Sequence, residues 1–520
     1  MAQSKTDASR HSKGKVDNEC SSWTEYMLIH YRWVIVILFL LPMSAIYDLI
    51  YWIRAWVIFK FASAPDRHLE KIGHVQKQVK QWNLDGRPNR LCTARPGWQT
   101  ISFRQPIYKS KLTKIEVNLV DVLKIDVERQ EVTVEPMVTM GQLTATLIPL
   151  GWTIPVLPEL DDLTVGGLVM GTGIETSSHK YGLFQHICRE FEIVSADGEI
   201  LICNKEQNID LFNCIPWSYG TLGFLTSVKL QIIPALRFVK LEYFPVKSLE
   251  EINATLREKT FLPEGNEYVE GLMFTKDTGV VMVGNMINSA EPGKVNEIGR
   301  WFKPWFFKHV EGCLSNGPGQ VEYIPIRDYF HRHSRSIFWE IREIIPFGNH
   351  PVFRYLLGWL VPPKVSLLKL TQPEAVKKLY EQNHMIQDML VPMNKFKEAI
   401  EVFDTETGIY PLWLCPFKLE NKEGLINSSK TVDPTLMYID IGAYGVPNSP
   451  NFHPRETTRK IESFVRQCQG FQMLYADTYA TKQEFRQMFD HSLYDRVRSK
   501  TKSAEAFPEV YDKVSLSARA

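Results

Sequence analysis

Five glycines, Gly166, Gly167, Gly171, Gly173 and Gly182, fall within the nineteen residues TVGGLVMGTGIETSSHKYG that begin at Thr164. A residue without a Cβ lets a ligand lie against the main chain, and unencumbered backbone N–H groups can cradle a diphosphate. One or two such residues would serve a structural loop, whereas five predict a cofactor. The stretch expected to line it is Thr164, Val165, Gly166, Gly167, Leu168, Val169, Met170, Gly171, Thr172, Gly173, Ile174, Glu175 and Thr176. Two familiar phosphate loops do not fit. A Rossmann fingerprint needs a third glycine where Thr176 stands, and a P-loop needs Lys where Gly171 is followed by Thr172.

Other groups with chemical potential lie on either side. Glu159, Asp161 and Asp162 precede the glycines and are acid/base candidates, or a turn and cap. His331 and His333 have the composition of a metal pair, but no carboxylate or cysteine set accompanies them at ligand spacing, so no metal is expected. Arg332 and Arg335 in the same loop are candidates for a dinucleotide phosphate.

Elements must position these groups. Leu69, Ile72, Val75, Val79 and Trp82 recur at helical spacing between His68 and Asn83. The alternation in EVTVEP from Glu131 predicts a strand, and Leu143, Leu147 and Leu150 predict a helix face that Gly151 ends. FEIVSADGEILIC, from Phe191, reads as a hairpin about Asp197-Gly198. Beyond Pro234 aromatic residues become dense and strands such as GVVMVGNM and LMYIDIGAYG appear. Mixed short strands and helices of this kind indicate an α+β architecture.

The 520 residues carry 60 Lys+Arg against 59 Asp+Glu, with no long basic block, which argues against nucleic acid as a partner. Eight dispersed cysteines without CxxC or zinc spacing read as buried thiols in a reducing compartment. From Trp33 to Ile53 the only charge is Asp48, and twenty-one such residues span a hydrocarbon core of about 30 Å. A single-pass span kinked at Pro42 is expected, with Trp33, Tyr51, Trp52 and Trp56 near its ends. Asp48 leaves a hairpin or monotopic anchor lying in one leaflet, or an uncleaved signal-like segment, as alternatives.

The order Thr164-Val165-Gly166-Gly167, Gly171, Gly173, Ser177, Gly182, Ala196-Asp197-Gly198, Asp210-Leu211-Phe212 and Gly220-Thr221-Leu222-Gly223-Phe224 resembles the PCMH-type FAD-binding domain of the vanillyl-alcohol oxidase family. RPGW from Arg95, LPELDDLTVGGL from Leu157, HKYGLFQHIC from His179, KPWFFKHVE from Lys303, RSIFWE from Arg335, LYEQNHMIQDMLVPM from Leu379 and GFQMLYADTY from Gly470 are similar to the delta(24)-sterol reductase family, over about Met27 to Lys513. That resemblance implies FAD as cofactor and NADPH as co-substrate. The reaction it implies is reduction of the Δ24 double bond of a sterol, of the desmosterol-to-cholesterol type, in sterol biosynthesis. Covalent members carry a histidine in the early loop where TARPGWQT has Trp98, so FAD is expected to be non-covalent. Tyr475, His384 and Tyr444 lie in segments that resemble the reductases and are candidate proton donors.

The resulting expectation is an α+β protein: a polar tail (1–22), a membrane anchor (23–61), a PCMH-type FAD-binding domain (62–234), a second α+β substrate (cap) domain (235–480) and a C-terminal segment packing back (481–520). The aromatic segments WFKPWFFKHV from Trp301 and FRYLLGWLVPPKVSLLKL from Phe353 are either core of the second domain or a bilayer-facing patch that admits a lipid. The expected location is the membrane of the endoplasmic reticulum or the Golgi, with the catalytic part facing the cytosol and other sterol-pathway enzymes as associates. The rival readings are an oxidase of a sugar lactone or alcohol, and a membrane scaffold without turnover.

Overall fold

The computed structural model describes residues 31–57, 64–96, 106–262, 265–317, 319–362, 374–420, 422–426, 435, 437–449 and 452–516. The polar tail 1–22, Trp98 and the run 363–370 lie outside the described residues.

The apolar N-terminal run is one continuous helical rod: a turn at Arg32–Ile35, a π-helical turn at Val36–Leu40 and helix α1 (Leu41–Val57). Pro42 explains the wide turn, because it has no N–H to give to the carbonyl four residues back and its ring crowds that position. Val36, Leu41 and Ser44 are buried, while Leu38, Phe39, Ile46, Leu49 and Ile50 are exposed. Among the described residues Arg32–Ile50 is the one helix long and apolar enough to cross a bilayer.

Helix α2 (His68–Leu84) buries Ile72, Val75, Val79 and Trp82, as their spacing requires. Leu69, predicted on the same face, is 76% exposed, so the packed stripe starts one turn later. β1 (Leu91–Thr93) and β2 (Thr113–Ile115) pair in parallel. A five-stranded antiparallel sheet follows, built from β3 (Val122–Asp126), β4 (Glu131–Val134), β5 (Cys188–Val194), β6 (Ile200–Asn204) and β7 (Phe224–Gln231) in the order β3-β4-β7-β5-β6. Three helices enter between β4 and β5: α3 (Met140–Leu147), α4 (Val165–Gly171) and α5 (Ser178–Tyr181). Thr139 caps α3 by accepting from the Gln142 amide, and after a 3-10 turn Gly151 takes the left-handed conformation (φ +81°) that reverses the chain.

The second sheet has eight strands, all antiparallel: β8 (Phe238–Val246), β9 (Tyr268–Thr275), β10 (Thr278–Ile287), β11 (Gln320–Pro325), β12 (Met385–Pro392), β13 (Leu412–Lys418), β14 (Met437–Gly445) and β15 (Phe471–Gln472). Their order is β11-β8-β10-β9-β13-β14-β12-β15. On its outer face Val269, Val281, Leu414, Ile439 and Ile441 form an aliphatic core with α6 (Leu249–Thr260), α8 (Phe396–Glu406) and α9 (Pro454–Gln467). A further helix, α7 (Pro351–Leu357), lies at the periphery and exposes Val352, Tyr355 and Leu356. Register assigns the inner face. Cys415 stands opposite Asp440, Gly442 opposite both Trp413 and Asp388, and Tyr444 opposite Ile386. With Leu272 opposite Trp413, the period of two places Glu270, Trp413, Asp440, Tyr444 and Asp388 on one side of the sheet. That side meets the segment after the glycines, where the Val269 amide donates to the Thr176 carbonyl (2.8 Å) and the His179 ring lies 2.9 Å from the Asn266 carbonyl.

Candidate active site

The clustered glycines serve different ends. A Cβ on Gly166 would meet Pro136 at 2.8 Å, and one on Gly173 would meet Leu168 and Pro158 at 2.8 Å, so both allow close packing of the protein on itself. A Cβ on Gly182 would collide with the His186 ring. Gly167 is different: it is exposed, and the one atom in front of it is Thr164 Oγ1 at 3.1 Å. Thr164 caps α4 by accepting from the Gly167 amide, and it also accepts from the Arg95 guanidinium at 3.1 Å. At the other end of α4, Thr172 holds φ 73° and ψ 168°, a region in which a β-branched residue is strained by about 1–3 kcal/mol.

Cations gather beside this helix. Lys109 donates to the Thr93 and Arg95 carbonyls. Lys513, from the end of the chain, donates to the Tyr219 carbonyl, and Tyr219 in turn packs its hydroxyl where Gly171 has no side chain. Among the described residues neither lysine has a carboxylate partner. Burial, and for Lys513 also the charge of Lys109, lowers both ammonium groups, Lys513 to about 7. Two desolvated lysines without an anion, next to an open glycine and a strained turn, fit the diphosphate of FAD.

The inner sheet face supplies acids. Arg332 is buried, with Nε 3.0 Å and Nη2 2.9 Å from Glu270 Oε1, and Nη2 3.3 Å from Glu175 Oε1. Trp413 Nε1 donates to Glu270 Oε2 at 2.9 Å and His333 Nε2 lies 3.3 Å from it. Burial alone would raise Glu270, yet the Arg332 charge with these donors brings it down to about 2. Asp388 accepts from the hydroxyls of both Tyr444 and Tyr475. Gly442 makes room for that arrangement, because a Cβ there would stand 2.5 Å from the Tyr444 hydroxyl and 2.8 Å from Asp388. Burial raises Asp388, Asp440 and Glu159 together, and Asp388 and Glu159 add to the effect on Asp440. Aromatic rings pack over this face: Phe338 stacks on His333 at 4.4 Å and lies 5.3 Å from both Trp413 and Tyr444. Ile337 and Phe338 pass through positive φ (45° and 58°) to place that ring, a strain of about 1–3 kcal/mol each.

The residues singled out from sequence divide accordingly. Glu159 is buried, whereas Asp161 and Asp162 are exposed. His331 bonds the Glu159 carbonyl through Nδ1 (2.7 Å) and His333 faces Glu270, so the two histidines serve different networks. Among the described residues no group of ligands could hold a metal ion. Arg332 is committed to carboxylates, and Arg335 to the carbonyls of Ile298, Arg300, Trp301 and Lys303, which leaves neither turned toward a phosphate. Tyr444 and Tyr475 converge on Asp388; His384 instead lies 3.1 Å from Glu340. Of the aromatic segments, Trp305, Phe306 and Phe307 are core, but Tyr355 and Trp359 are 60% and 61% exposed. Sequence reasoning missed Lys109, Lys513, Glu270, Asp388 and Asp440. The alternation in YIDIGAYG was a usable signal for Asp440, Gly442 and Tyr444 sharing a face.

Residues 70–204 match the family model described as FAD binding domain. The chain is 54% identical over 495 residues to a delta(24)-sterol reductase of Homo sapiens, covering 95% of each. It is 46% identical to a delta(24)-sterol reductase homolog of Caenorhabditis elegans (97% of this chain, 98% of the relative). Identity to a delta(24)-sterol reductase of Arabidopsis thaliana is 38%, over 95% and 92% of the two chains. With near-complete coverage on both sides and a matching flavin-binding domain, the chain belongs to the delta(24)-sterol reductase family.

Proposed function

We propose that this protein is an FAD-dependent, NADPH-driven reductase of the Δ24 double bond of sterol intermediates, working at the membrane of the endoplasmic reticulum with its catalytic part on the cytosolic side. The observation that carries the reading is the meeting of the glycine stretch with the inner sheet face in a chain so similar to the sterol reductases. Thr164 to Thr176 would line the FAD, with Lys109 and Lys513 at its diphosphate. When bound, the flavin would relay hydride from the dinucleotide to the substrate. The protein has to do the rest. An isolated alkene is a poor hydride acceptor, so a proton must lead or accompany the transfer, from an acid kept neutral in a dry site. Residues 62–234 and 235–480 are read as the flavin and substrate domains, in keeping with their separate sheets.

The membrane part of the proposal rests on a continuous apolar surface. The N-terminal rod exposes Leu38, Phe39, Ile46 and Leu49, and Trp33 packs edge-on against Phe347 at 5.1 Å. Val352, Tyr355, Leu356 and Trp359 continue the exposed surface along α7 and the turn after it. Such a belt suits a bilayer from which a lipid substrate is taken directly.

The test follows the visible flavin band of the purified full-length protein in detergent without oxygen. NADPH should bleach it and desmosterol should restore it. No bleaching by NADPH, with flavin reduced instead by a sugar lactone or alcohol and reoxidised by oxygen, would replace the reductase with an oxidase. Gly167→Leu should release the flavin, and full retention of yellow colour would overturn the placement of the cofactor.

A further inference from the structure

Three carboxyl groups are buried on the inner sheet face, and they differ in what holds them. Glu270 is surrounded by Arg332, His333 and Trp413 and stays ionised. Asp388 takes one tyrosine hydroxyl on each oxygen. Asp440 is 0% exposed, and neither of its oxygens has a side-chain partner; the amide of the adjacent Ile441 is the donor that acts on it. Among the described residues it is the one carboxyl whose two oxygens are both fully buried in that state. A charged carboxylate in that state is strongly disfavoured, so the group is kept as the neutral acid, with its proton uncommitted to any side chain.

The surroundings agree. Cys415 faces Asp440 across the β13–β14 pairing, and Leu390 faces it across β12–β14; neither offers it a charge. Asp388, next along the same face, and Glu159, from the segment leading to the glycines, are the carboxyls whose charge it feels, and both favour its neutral form. Arg332 turns to Glu270 and Glu175 rather than to Asp440. Along the same face of β14, Asp440 is followed by Gly442 and Tyr444, and Trp413 stands opposite Gly442, so the acid shares its face with the ring cluster of Phe338, Trp413 and Tyr444.

Resting on the reductase reading above, we propose that Asp440 is the acid that protonates the sterol alkene. The Asp440 O–H bond breaks and the alkene π pair forms a C–H bond at one carbon. The other carbon takes a hydride supplied by the reduced flavin, so the alkene is reduced and the flavin oxidised. Asp440 is left as a carboxylate and recovers a proton from solvent before the next turnover, the proton that the overall reaction consumes. The Tyr444 and Tyr475 hydroxyls, held by Asp388, are positioning groups that keep the neighbouring carboxylate from taking that proton.

The experiment uses Asp440→Asn in the full-length flavoprotein in detergent. The variant should keep its flavin and be bleached by NADPH at the rate of the unaltered protein. Its reoxidation by desmosterol should fall by roughly a hundredfold to ten-thousandfold, the range for removal of a general acid. Reoxidation at the unaltered rate overturns the proposal while leaving the reductase reading intact. If the unaltered protein itself is not reoxidised by desmosterol, the reductase reading falls and the acid falls with it. A second measurement is independent of turnover and of how the variant folds. Infrared difference spectra of the unaltered oxidised protein, with and without the saturated sterol product, should show a protonated carboxylic acid band that shifts on binding. A spectrum without such a band overturns the assignment. So does loss of sterol-driven reoxidation in Glu159→Gln together with its retention in Asp440→Asn.

Discussion

On the outer face of the eight-stranded sheet, Val269, Leu414 and Ile441 meet aliphatic side chains of α6, α8 and α9. On the inner face of the same strands Glu270, Asp388 and Asp440 are just as thoroughly buried, among aromatic rings. Side chains that alternate along one strand therefore enter two interiors with opposite chemistry. The outer face does what apolar burial does anywhere: each fully covered aliphatic side chain stabilises by about 1.5–3 kcal/mol. The inner face gives back stability by desolvating acids and by bending Ile337 and Phe338 into positive φ. Folding alone gives no reason for such a face, and the proposed chemistry supplies one.

Arg332→Met should break the contrast most severely. It leaves Glu270 and Glu175 buried without their cation, and the expected loss is about 3–5 kcal/mol in chemical unfolding. A loss below about 1 kcal/mol would mean that the carboxyls simply take up protons. On the outer face Leu414→Ala should cost about 2–5 kcal/mol by opening a cavity, without altering the flavin spectrum. A changed spectrum would show that the two interiors are coupled.

A pair of small substitutions sharpens the comparison further. Gly442→Ala, on the inner face, should cost about 1–3 kcal/mol, because the new methyl group displaces the Tyr444 hydroxyl from Asp388. Gly271→Ala, on the outer face, meets only Leu414 at 3.3 Å and Leu256 at 3.6 Å, side chains that can yield, so its cost should be clearly smaller. Equal melting temperatures for the two would remove the distinction. A further effect appears in acid. Glu270 is held at about 2 against an ordinary 4.5, so its contribution is complete above 4.5 and is lost as pH falls from there toward 2. Unfolding followed over that window should be less steep in pH for Glu270→Gln than for the unaltered protein.

Much of the flavin side was legible in the sequence, because its signals are local. Glycine spacing, the Asp197-Gly198 hairpin and the alternation of β4 and β7 each specify structure over a few residues. The acidic inner face was not legible, for two physical reasons. Alternation assigns residues to faces but does not say which face is wet, and a strand with Asp440 on one side and Ile439 and Ile441 on the other ordinarily turns the acid to solvent. Pairing at a distance is also silent: Arg332 was read as a phosphate contact because its partners, Glu270 and Glu175, stand 62 and 157 residues away. The same distance hid Lys513, which reaches Tyr219 across 294 residues.

The contact of Trp33 with Phe347 also bears on how the protein meets its substrate. Arg32 lies 4.8 Å over the Tyr380 ring, and α1 packs near the turn Gly358–Leu360, so the N-terminal rod is jointed to the body at several points. A catalytic body on a slack tether would tumble above a bilayer and collide with it at every angle. With the rod embedded as proposed, this one would keep a single tilt, and its encounters would become a search in two dimensions at a fixed orientation. Turnover at low substrate would then follow the mole fraction of sterol in the membrane and its lateral diffusion, and would be indifferent to the volume of water around it.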